Sequence, residues 1–333
     1  YKINKSILFE MNVNSKELIK YLVKGDISSL SRAITIVESK AMKHKIIASE
    51  LISLSKSKIK KQTIRVGISG MPGAGKSTFI NSLGMHLISQ GLKVAVLAVD
   101  PSSTISKGSI LGDKTRMEDL IKEERAFIRP TASGGYLGGT ANKTRDVITL
   151  CEAAGYDVIL VETVGIGQSE TEVKTMVDIF LLLILPAGGD ELQGIKKGAV
   201  ELADLIIINK ADGDKLKIAR RTKVEYKQAA RILGQSNKFA EKVVLSSALN
   251  NVGIDKIWAM IYKYSSSETY IEQIKKIRQE QEIYWIEKSF NEAIITAVLT
   301  DQEVKSRSEE LKKQILNNKI SIDFAVEEII KLL

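Results

Sequence analysis

The sequence has few of the residues that build disulfide frameworks and zinc sites. Its 333 residues include one cysteine, Cys151, and two histidines, His44 and His86. A single thiol cannot form an internal disulfide, and structural zinc sites use four ligands, mostly Cys and His. These counts exclude a disulfide-stabilised secreted domain and a zinc or nickel metallochaperone built on a Cys/His cluster. We expect a soluble protein of a reducing compartment, the cytoplasm.

Long apolar runs are also missing. The longest run that could be a membrane span, Ile179–Leu185, has seven residues and is closed by Pro186. A helix needs about 20 apolar residues to cross a bilayer. We therefore expect no membrane insertion.

Positive charge, by contrast, is in excess. The chain has 49 lysines and arginines against 40 acidic residues, a net charge of +9. A nucleic-acid or membrane-surface binder would explain this excess, and so would lysines spread over solvated helix faces. The basic residues are scattered, apart from short clusters such as 56–61, and aromatic residues (5%) do not interleave with them. We favour solvated helix faces and expect no nucleic-acid partner, because charge alone is weak evidence about partners.

The hydropathy pattern divides the chain into three segments. Residues 1–62 and 264–333 carry apolar residues at helical spacing, which predicts a helical extension at each end. Residues 63–263 alternate short apolar runs with amphipathic stretches, as in a parallel sheet covered by helices. We predict an α/β fold with a doubly wound, mostly parallel sheet. The predicted strands are Ile64–Ile68, Val94–Val99, Val158–Val161, Ile179–Leu185, Leu205–Ile208 and Val243–Leu245, and two predicted crossover helices are Ser77–Gln90 and Asn142–Ala154.

A glycine-rich loop after the first predicted strand matches the pattern G-x-x-x-x-G-K-[ST]. Such a loop closes backbone N–H groups around a phosphate, and the following helix N-terminus adds partial positive charge. We expect Lys76 to reach the β- and γ-phosphates and the Ser77 hydroxyl to bind Mg²⁺. The predicted nucleotide-binding loop consists of Gly70, Met71, Pro72, Gly73, Ala74, Gly75, Lys76, Ser77 and Thr78.

Two further loops follow predicted strands and indicate guanine recognition. In a P-loop protein, the carboxylate of an N-K-x-D motif accepts hydrogen bonds from guanine N1–H and the N2 amino group, which adenine cannot donate. Lys210 is expected along the purine face, and Asn209 is expected to tie the loop to its neighbours. In the second loop, the Ala248 backbone N–H is expected at guanine O6. The predicted base-binding residues are Asn209, Lys210, Asp212, Ser247, Ala248 and Leu249.

Three acidic residues are candidates for the magnesium site. Glu162 stands where common GTPases place the aspartate of D-x-x-G, so it keeps the charge with one more methylene of reach. Asp100 is either a magnesium or water ligand at a strand end or the start of an Asp-Pro turn. Asp113, taken alone, is more simply a solvated loop charge. No glutamine directly follows Gly165, so we expect slow intrinsic hydrolysis that a partner accelerates. The residues expected to have catalytic roles are Lys76, Glu162 and Asp100.

Together these motifs resemble the MeaB/ArgK family of SIMIBI-class P-loop GTPases, and the resemblance covers nearly the whole chain. Besides the phosphate loop and the N-K-x-D loop, the matching stretches are residues 25–26, 32–38, 98–103, 112–117, 138–139, 161–170 and 189–198. The two that contain Glu162 and Lys197 are far more specific than the phosphate loop. The resemblance implies a GTP-binding and GTP-hydrolysing chaperone for an adenosylcobalamin-dependent acyl-CoA mutase, usually methylmalonyl-CoA mutase. It implies that GTP, with GDP as product, gates cofactor loading and protection of that mutase.

The resemblance also has consequences for individual segments. It places Asp100, Asp113 and Glu162 in the Mg²⁺ and switch shell, and residues 188–197 in a further switch loop. It makes the C-terminal helices a homodimerisation arm, although their spacing alone fits core-covering helices equally well. The alternative function is a nucleotide-dependent kinase or ATPase associated with arginine or ornithine transport. The guanine-reading loop argues against ATP as the ligand of this site.

Overall fold

Seven parallel strands form the centre of the fold in the part of the chain that the structure describes. The structure, a computed structural model, describes residues 14–39, 41–100, 117–132, 137–163, 169–186, 197–232, 239 and 242–332. The strands are β1 Ile64–Gly70, β2 Val94–Asp100, β3 Ala126–Ala132, β4 Val158–Thr163, β5 Ile179–Ile184, β6 Leu205–Ile208 and β7 Val243–Leu245. Their order in the sheet is β3-β2-β4-β1-β5-β6-β7, and every pairing is parallel. The predicted fold class is confirmed.

The apolar composition of the strands follows from burial on both faces. Every residue of β4, β5 and β6 is buried, because helices cover both sides of the sheet, as parallel sheets require. The register sets Ile68 of β1 beside Glu162 of β4 and Leu181 of β5. The carboxyl ends of these strands therefore lie at one edge, where the loops that follow them meet.

Strand β3 is the element that the apolar pattern failed to indicate. It lies at the edge of the sheet, paired with β2 only, and contains Arg129 and Pro130. A proline is tolerated in an edge strand because that strand does not need every N–H for the ladder. Arg129 pairs with Glu38 at 2.7 Å. An edge strand thus carries polar residues that interrupt the apolar run by which the other strands are recognised.

The helices surround the sheet and extend beyond it. They are α1 Ser15–Leu22, α2 Ile27–Glu38, α3 Met42–Lys56, α4 Lys76–Ser89, α5 Leu137–Ala153, α6 Ser169–Lys174, α7 Lys197–Leu202, α8 Leu216–Ile232, α9 Ile254–Ser265, α10 Glu268–Thr300, α11 Gln302–Leu316 and α12 Ile322–Ile330. Among the helices of the described residues, none combines the length and apolarity that a membrane span needs.

The chain divides into two compact units, residues 1–278 and 279–333. The N-terminal helices α1, α2 and α3 pack on one another, and α2 and α3 also pack on α5, within the first unit. The second unit contains the rest of α10 together with α11 and α12, which pack on each other. The segment boundaries at 62/63 and 263/264 stay predictions.

A buried ion cluster joins the beginning of α10 to the amino ends of the central strands. Arg278 donates to both carboxylate oxygens of Asp178, at 2.9 and 2.8 Å, and Tyr270 donates to Asp178 at 3.2 Å. Burial, and then the charge of Asp178, raises the pKa of the Tyr270 hydroxyl. Arg65 of β1 makes two hydrogen bonds to Glu152 of α5, at 2.7 and 2.8 Å. Because each buried charge here has a partner, the cluster holds these elements in one arrangement.

Candidate nucleotide-binding site

The predicted site residues converge on the carboxyl edge of the sheet. The phosphate loop follows β1, Glu162 lies near the end of β4, and the two predicted base loops follow β6 and β7. In an open parallel sheet the carboxyl ends of the strands share one edge, which is where such folds bind ligands. Four separate stretches of sequence are therefore brought to one place.

The phosphate loop has the backbone that the motif requires. Gly75 has φ +84°, and a Cβ at this position would lie 2.8 Å from the amide nitrogen of Asn209, so a side chain is excluded by both conformation and space. Lys76 begins α4, and its ammonium group donates to the carbonyls of Gly70 at 2.8 Å and Met71 at 3.4 Å. Lys76 and Ser77 are buried, Thr78 is half-buried, Ala74 is buried, and Met71, Pro72 and Gly73 are exposed.

Two of the predicted magnesium ligands are neighbours. The Ser77 hydroxyl donates to a carboxylate oxygen of Glu162 at 3.2 Å, and both residues are buried. Mg²⁺ prefers oxygen ligands and is usually held by one or two protein groups together with water and substrate phosphates. Among the described residues, which include neither Asp113 nor the side chain of Asp100, no group of three or more His, Cys, Asp or Glu could hold a metal ion. The hydroxyl and carboxylate fit this ion.

The other predicted ligands and switch residues are described only in part. The backbone of Asp100 ends β2, one residue beyond the last residue of β2 that pairs with β4, and its side chain lies outside the described part of the structure. Asp113 also lies outside the described residues. The same holds for residues 164–168, which follow Glu162 and Thr163, and for 188–196 of the predicted further switch loop. The roles predicted for these residues stay predictions.

Asn209 joins the phosphate loop to the base loops. It is fully buried, its amide nitrogen donates to the Ala74 carbonyl at 2.8 Å, and its amide oxygen accepts the Ala248 N–H at 3.0 Å. This is the tie to neighbouring loops that the sequence predicts for Asn209. The geometry adds a complication, because the Ala248 N–H predicted for guanine O6 already donates to Asn209. A guanine O6 at this position would share that hydrogen with the Asn209 oxygen.

The side chains around the predicted base-reading carboxylate are also held in place. The Ser247 hydroxyl donates to a carboxylate oxygen of Asp212, which orients that group. The Ala211 N–H donates to the Ser246 carbonyl at 2.9 Å and ties the two loops through their backbones. Lys210 has φ +58°, a left-handed conformation that is costly for a residue with a side chain and is typical of functional sites.

The structure adds hydroxyl groups that sequence reasoning missed. Ser82 of α4 donates to the Ala248 carbonyl at 2.6 Å, and Thr163 of β4 donates to the Ser69 hydroxyl of β1 at 2.8 Å. All of these residues are buried. Serine and threonine inside a helix or strand have no local pattern that distinguishes them from solvent-facing residues. Only the packing of distant segments shows what they bind.

Comparison with known proteins shows the family. The model of the family described as "Methylmalonyl Co-A mutase-associated GTPase MeaB" matches residues 30–303. This chain belongs to the MeaB family. The predicted resemblance is thus confirmed, and membership of a GTPase family implies that the chain binds a guanine nucleotide.

Members of the MeaB family and its structural relatives match over most of the chain. The "GTPase ArgK" of Escherichia coli (strain K12) is 44% identical over 306 residues, which cover 92% of each chain. The "Methylmalonic aciduria type A homolog, mitochondrial" of Mus musculus is 41% identical over 320 residues, 93% of this chain and 77% of that protein. The crystal structure of a protein named "LAO/AO transport system kinase" superposes with a TM-score of 0.76 at 36% identity, covering 96% of this chain and 99% of that one.

Proposed function

We propose that this chain binds and hydrolyses GTP with Mg²⁺ and acts in the cytoplasm as a chaperone of an adenosylcobalamin-dependent acyl-CoA mutase of the methylmalonyl-CoA mutase type. Nucleotide binding and hydrolysis gate the loading of the mutase cofactor and its protection. The observation that carries the nucleotide part is that Asn209, in the first base loop, makes hydrogen bonds to both the phosphate loop and the second base loop. The client is supported by the family description and by the name of the mouse relative.

The residues of the site divide the work of GTP binding and hydrolysis. The backbone N–H groups of the phosphate loop and the start of α4 bind the phosphates, and Lys76 exchanges its carbonyl contacts for phosphate oxygens. Ser77 and Glu162 hold Mg²⁺, which, when bound, neutralises charge on the β- and γ-phosphate oxygens. Asp212 selects guanine. With no glutamine directly after Gly165, we expect a slow intrinsic rate and stimulation by the partner.

The client is tested by measuring GTP hydrolysis in the presence of the host's cobalamin-dependent mutase. We expect a complex whose stability depends on the bound nucleotide, and a rate raised about tenfold or more, because partner proteins accelerate other GTPases by ~10³ or more. A Lys76→Ala variant measured with the same mutase preparation controls for contaminating phosphatases.

An unchanged rate, with no complex in the GDP or GTP state, would contradict the chaperone role and leave a GTPase with another client. The transport-associated kinase is tested separately by competition between GTP and ATP. Equal affinities for the two nucleotides would favour that alternative, because Asp212 would then not select the base.

We also propose that α10 forms a homodimer contact with a second copy of the chain. Within the second unit this helix exposes Ile283, Ile286, Phe290 and Ile294, with exposed fractions of 57%, 67%, 65% and 47%. Their spacings of three, four and four residues place them on one face of the helix, as in helices that pair lengthwise. A continuous apolar stripe of this kind marks an interaction surface, and the same stripe on a second copy matches it in length and chemistry.

Replacing Ile286 and Phe290 by aspartate is expected to convert a dimer into a monomer. Each copy would bring two carboxylates into the centre of an apolar contact. Burying these unpaired charges costs more free energy than the contact contributes. Light scattering coupled to gel filtration should show the molar mass falling by half, with GDP affinity unchanged. Tyr262→Asp, on an exposed position of α9 (56% exposed), is the matched control and should leave the mass unchanged. A wild-type chain that is monomeric at all concentrations would contradict the proposal.

A further inference from the structure

The backbone of Ala248, in the base loop after β7, is held by side chains at both its N–H and its carbonyl. Its N–H donates to the amide oxygen of Asn209 at 3.0 Å, and its carbonyl accepts the Ser82 hydroxyl at 2.6 Å. Ala248, Asn209 and Ser82 are all buried. Rotation or translation of this loop would therefore break a buried hydrogen bond.

Ser82 connects base recognition to phosphate recognition because of where it lies. It is on α4, the helix that begins with Lys76 and Ser77 at the phosphate loop. Ser82 lies five positions after Ser77, which is about 7.5 Å along a helix axis at ~1.5 Å per residue. The helix that receives the phosphates thus also carries the hydroxyl that holds the base loop. The distance between the two binding surfaces is set by one rigid element.

We propose that Ser82 is a positioning residue for guanine recognition, an inference that rests on the proposed binding of guanine nucleotides. Its hydroxyl holds the Ala248 carbonyl, and with it the position at which the base loop after β7 would meet guanine O6. Hydrogen bonds weaken steeply outside about 2.7–3.2 Å and with poor alignment, so a loop that shifts by a fraction of an ångström loses the contact. Loss of the hydroxyl also leaves a buried carbonyl without this donor.

A second hydrogen bond between the same parts of the chain provides a matched control. Trp258 of α9, the helix that follows the base loop, donates to the Gln90 side chain at the end of α4, at 2.9 Å. Gln90 lies eight residues after Ser82, or about 12 Å further along the helix direction. Removing the Gln90 contact loosens the junction of α4 with the β7–α9 segment without touching the base loop.

The experiment compares Ser82→Ala and Gln90→Ala in the full chain, using three nucleotides that differ only in the base. GDP and inosine diphosphate both carry O6, whereas the diphosphate of 2-aminopurine riboside lacks it. We expect Ser82→Ala to weaken GDP and inosine diphosphate by the same factor, about tenfold, and to leave the 2-aminopurine nucleotide within about twofold. Gln90→Ala should leave all three dissociation constants unchanged. Titration calorimetry gives the constants, and thermal unfolding checks that both variants fold.

Each other outcome overturns the inference. Equal weakening of all three nucleotides by Ser82→Ala would show that the hydroxyl only stabilises the fold, and an unchanged GDP affinity would show that the loop needs no such support. In either case the proposal that the chain binds guanine nucleotides still stands if the wild-type protein binds GDP more tightly than ADP. If wild type shows no such preference, the proposed function fails first, and the role of Ser82 fails with it.

Discussion

Replacing Asp212 by asparagine is expected to transfer the preference of the site from GDP to xanthosine diphosphate. In the proposed site the aspartate would accept hydrogen bonds from guanine N1–H and the N2 amino group. The asparagine amide would instead direct its own N–H donors at the N2 amino group. Sites built around such a hydrogen bond reject a ligand that leaves it unpaired by ~10⁴, so we expect GDP affinity to fall by about 10³-fold or more. Xanthine has a carbonyl at C2 that accepts from the new amide. Competition binding with both nucleotides measures the exchange.

The asparagine substitution also preserves the local structure. Its side-chain oxygen can still accept the Ser247 hydroxyl that Asp212 accepts, so the loop after β6 keeps its tie to the loop after β7. Asp214→Asn is the matched control, because Asp214 is an exposed acid in the short turn that follows. It should leave both affinities unchanged. A variant at position 212 that still prefers GDP would contradict the assignment of this carboxylate to the base.

Replacing Glu162 by glutamine is expected to lower kcat for GTP hydrolysis by about 10²–10³, the range found when one preorganised electrostatic group is removed from an active site. Glutamine keeps the shape of the side chain and an oxygen that can accept the Ser77 hydroxyl, now 3.2 Å away, but it loses the negative charge. The affinity for Mg²⁺ should therefore fall while the fold is retained. Rates measured over a range of Mg²⁺ concentrations should show a shift to higher concentrations.

Two comparisons make the Glu162 result specific. With Mg²⁺ removed by a chelator, wild type and the glutamine variant should bind GDP alike, because the phosphate loop and base loops are untouched. Glu162→Asp retains the charge with a shorter reach and should recover part of the rate. If Glu162→Gln shows the same Mg²⁺ dependence as wild type, this carboxylate does not hold the ion.

Local patterns of apolar residues predict much of the fold. The apolar strands β1, β2, β4, β5, β6 and β7 are recognisable because burial on both faces requires continuous apolar runs. Strand β3 is not, because its edge position admits Arg129 and Pro130. Continuous apolar runs therefore predict the inner strands of a parallel sheet better than its edge strands.

The site shows the same division between local and long-range information. The phosphate loop and the N-K-x-D loop are short segments whose chemistry depends on adjacent residues, so their motifs identify them and, with the further matching stretches, the family. The hydrogen bond between Ser82 and Ala248 joins residues 166 positions apart, and that between Ser77 and Glu162 joins residues 85 apart. No spacing rule along the chain predicts which distant hydroxyl will meet a given carbonyl.

By itself the sequence determined the α/β class and the MeaB family, and it located the candidate phosphate and base loops, since these depend on periodicity and on contiguous motifs. Only the tertiary structure decided that Asn209 accepts the Ala248 N–H and Ser82 donates to the Ala248 carbonyl, and that Arg278 and Asp178 share a buried cluster. The physical reason is that the order of strands in the sheet brings distant segments of the chain together. Polar groups that become buried there must form hydrogen bonds with whichever groups lie next to them.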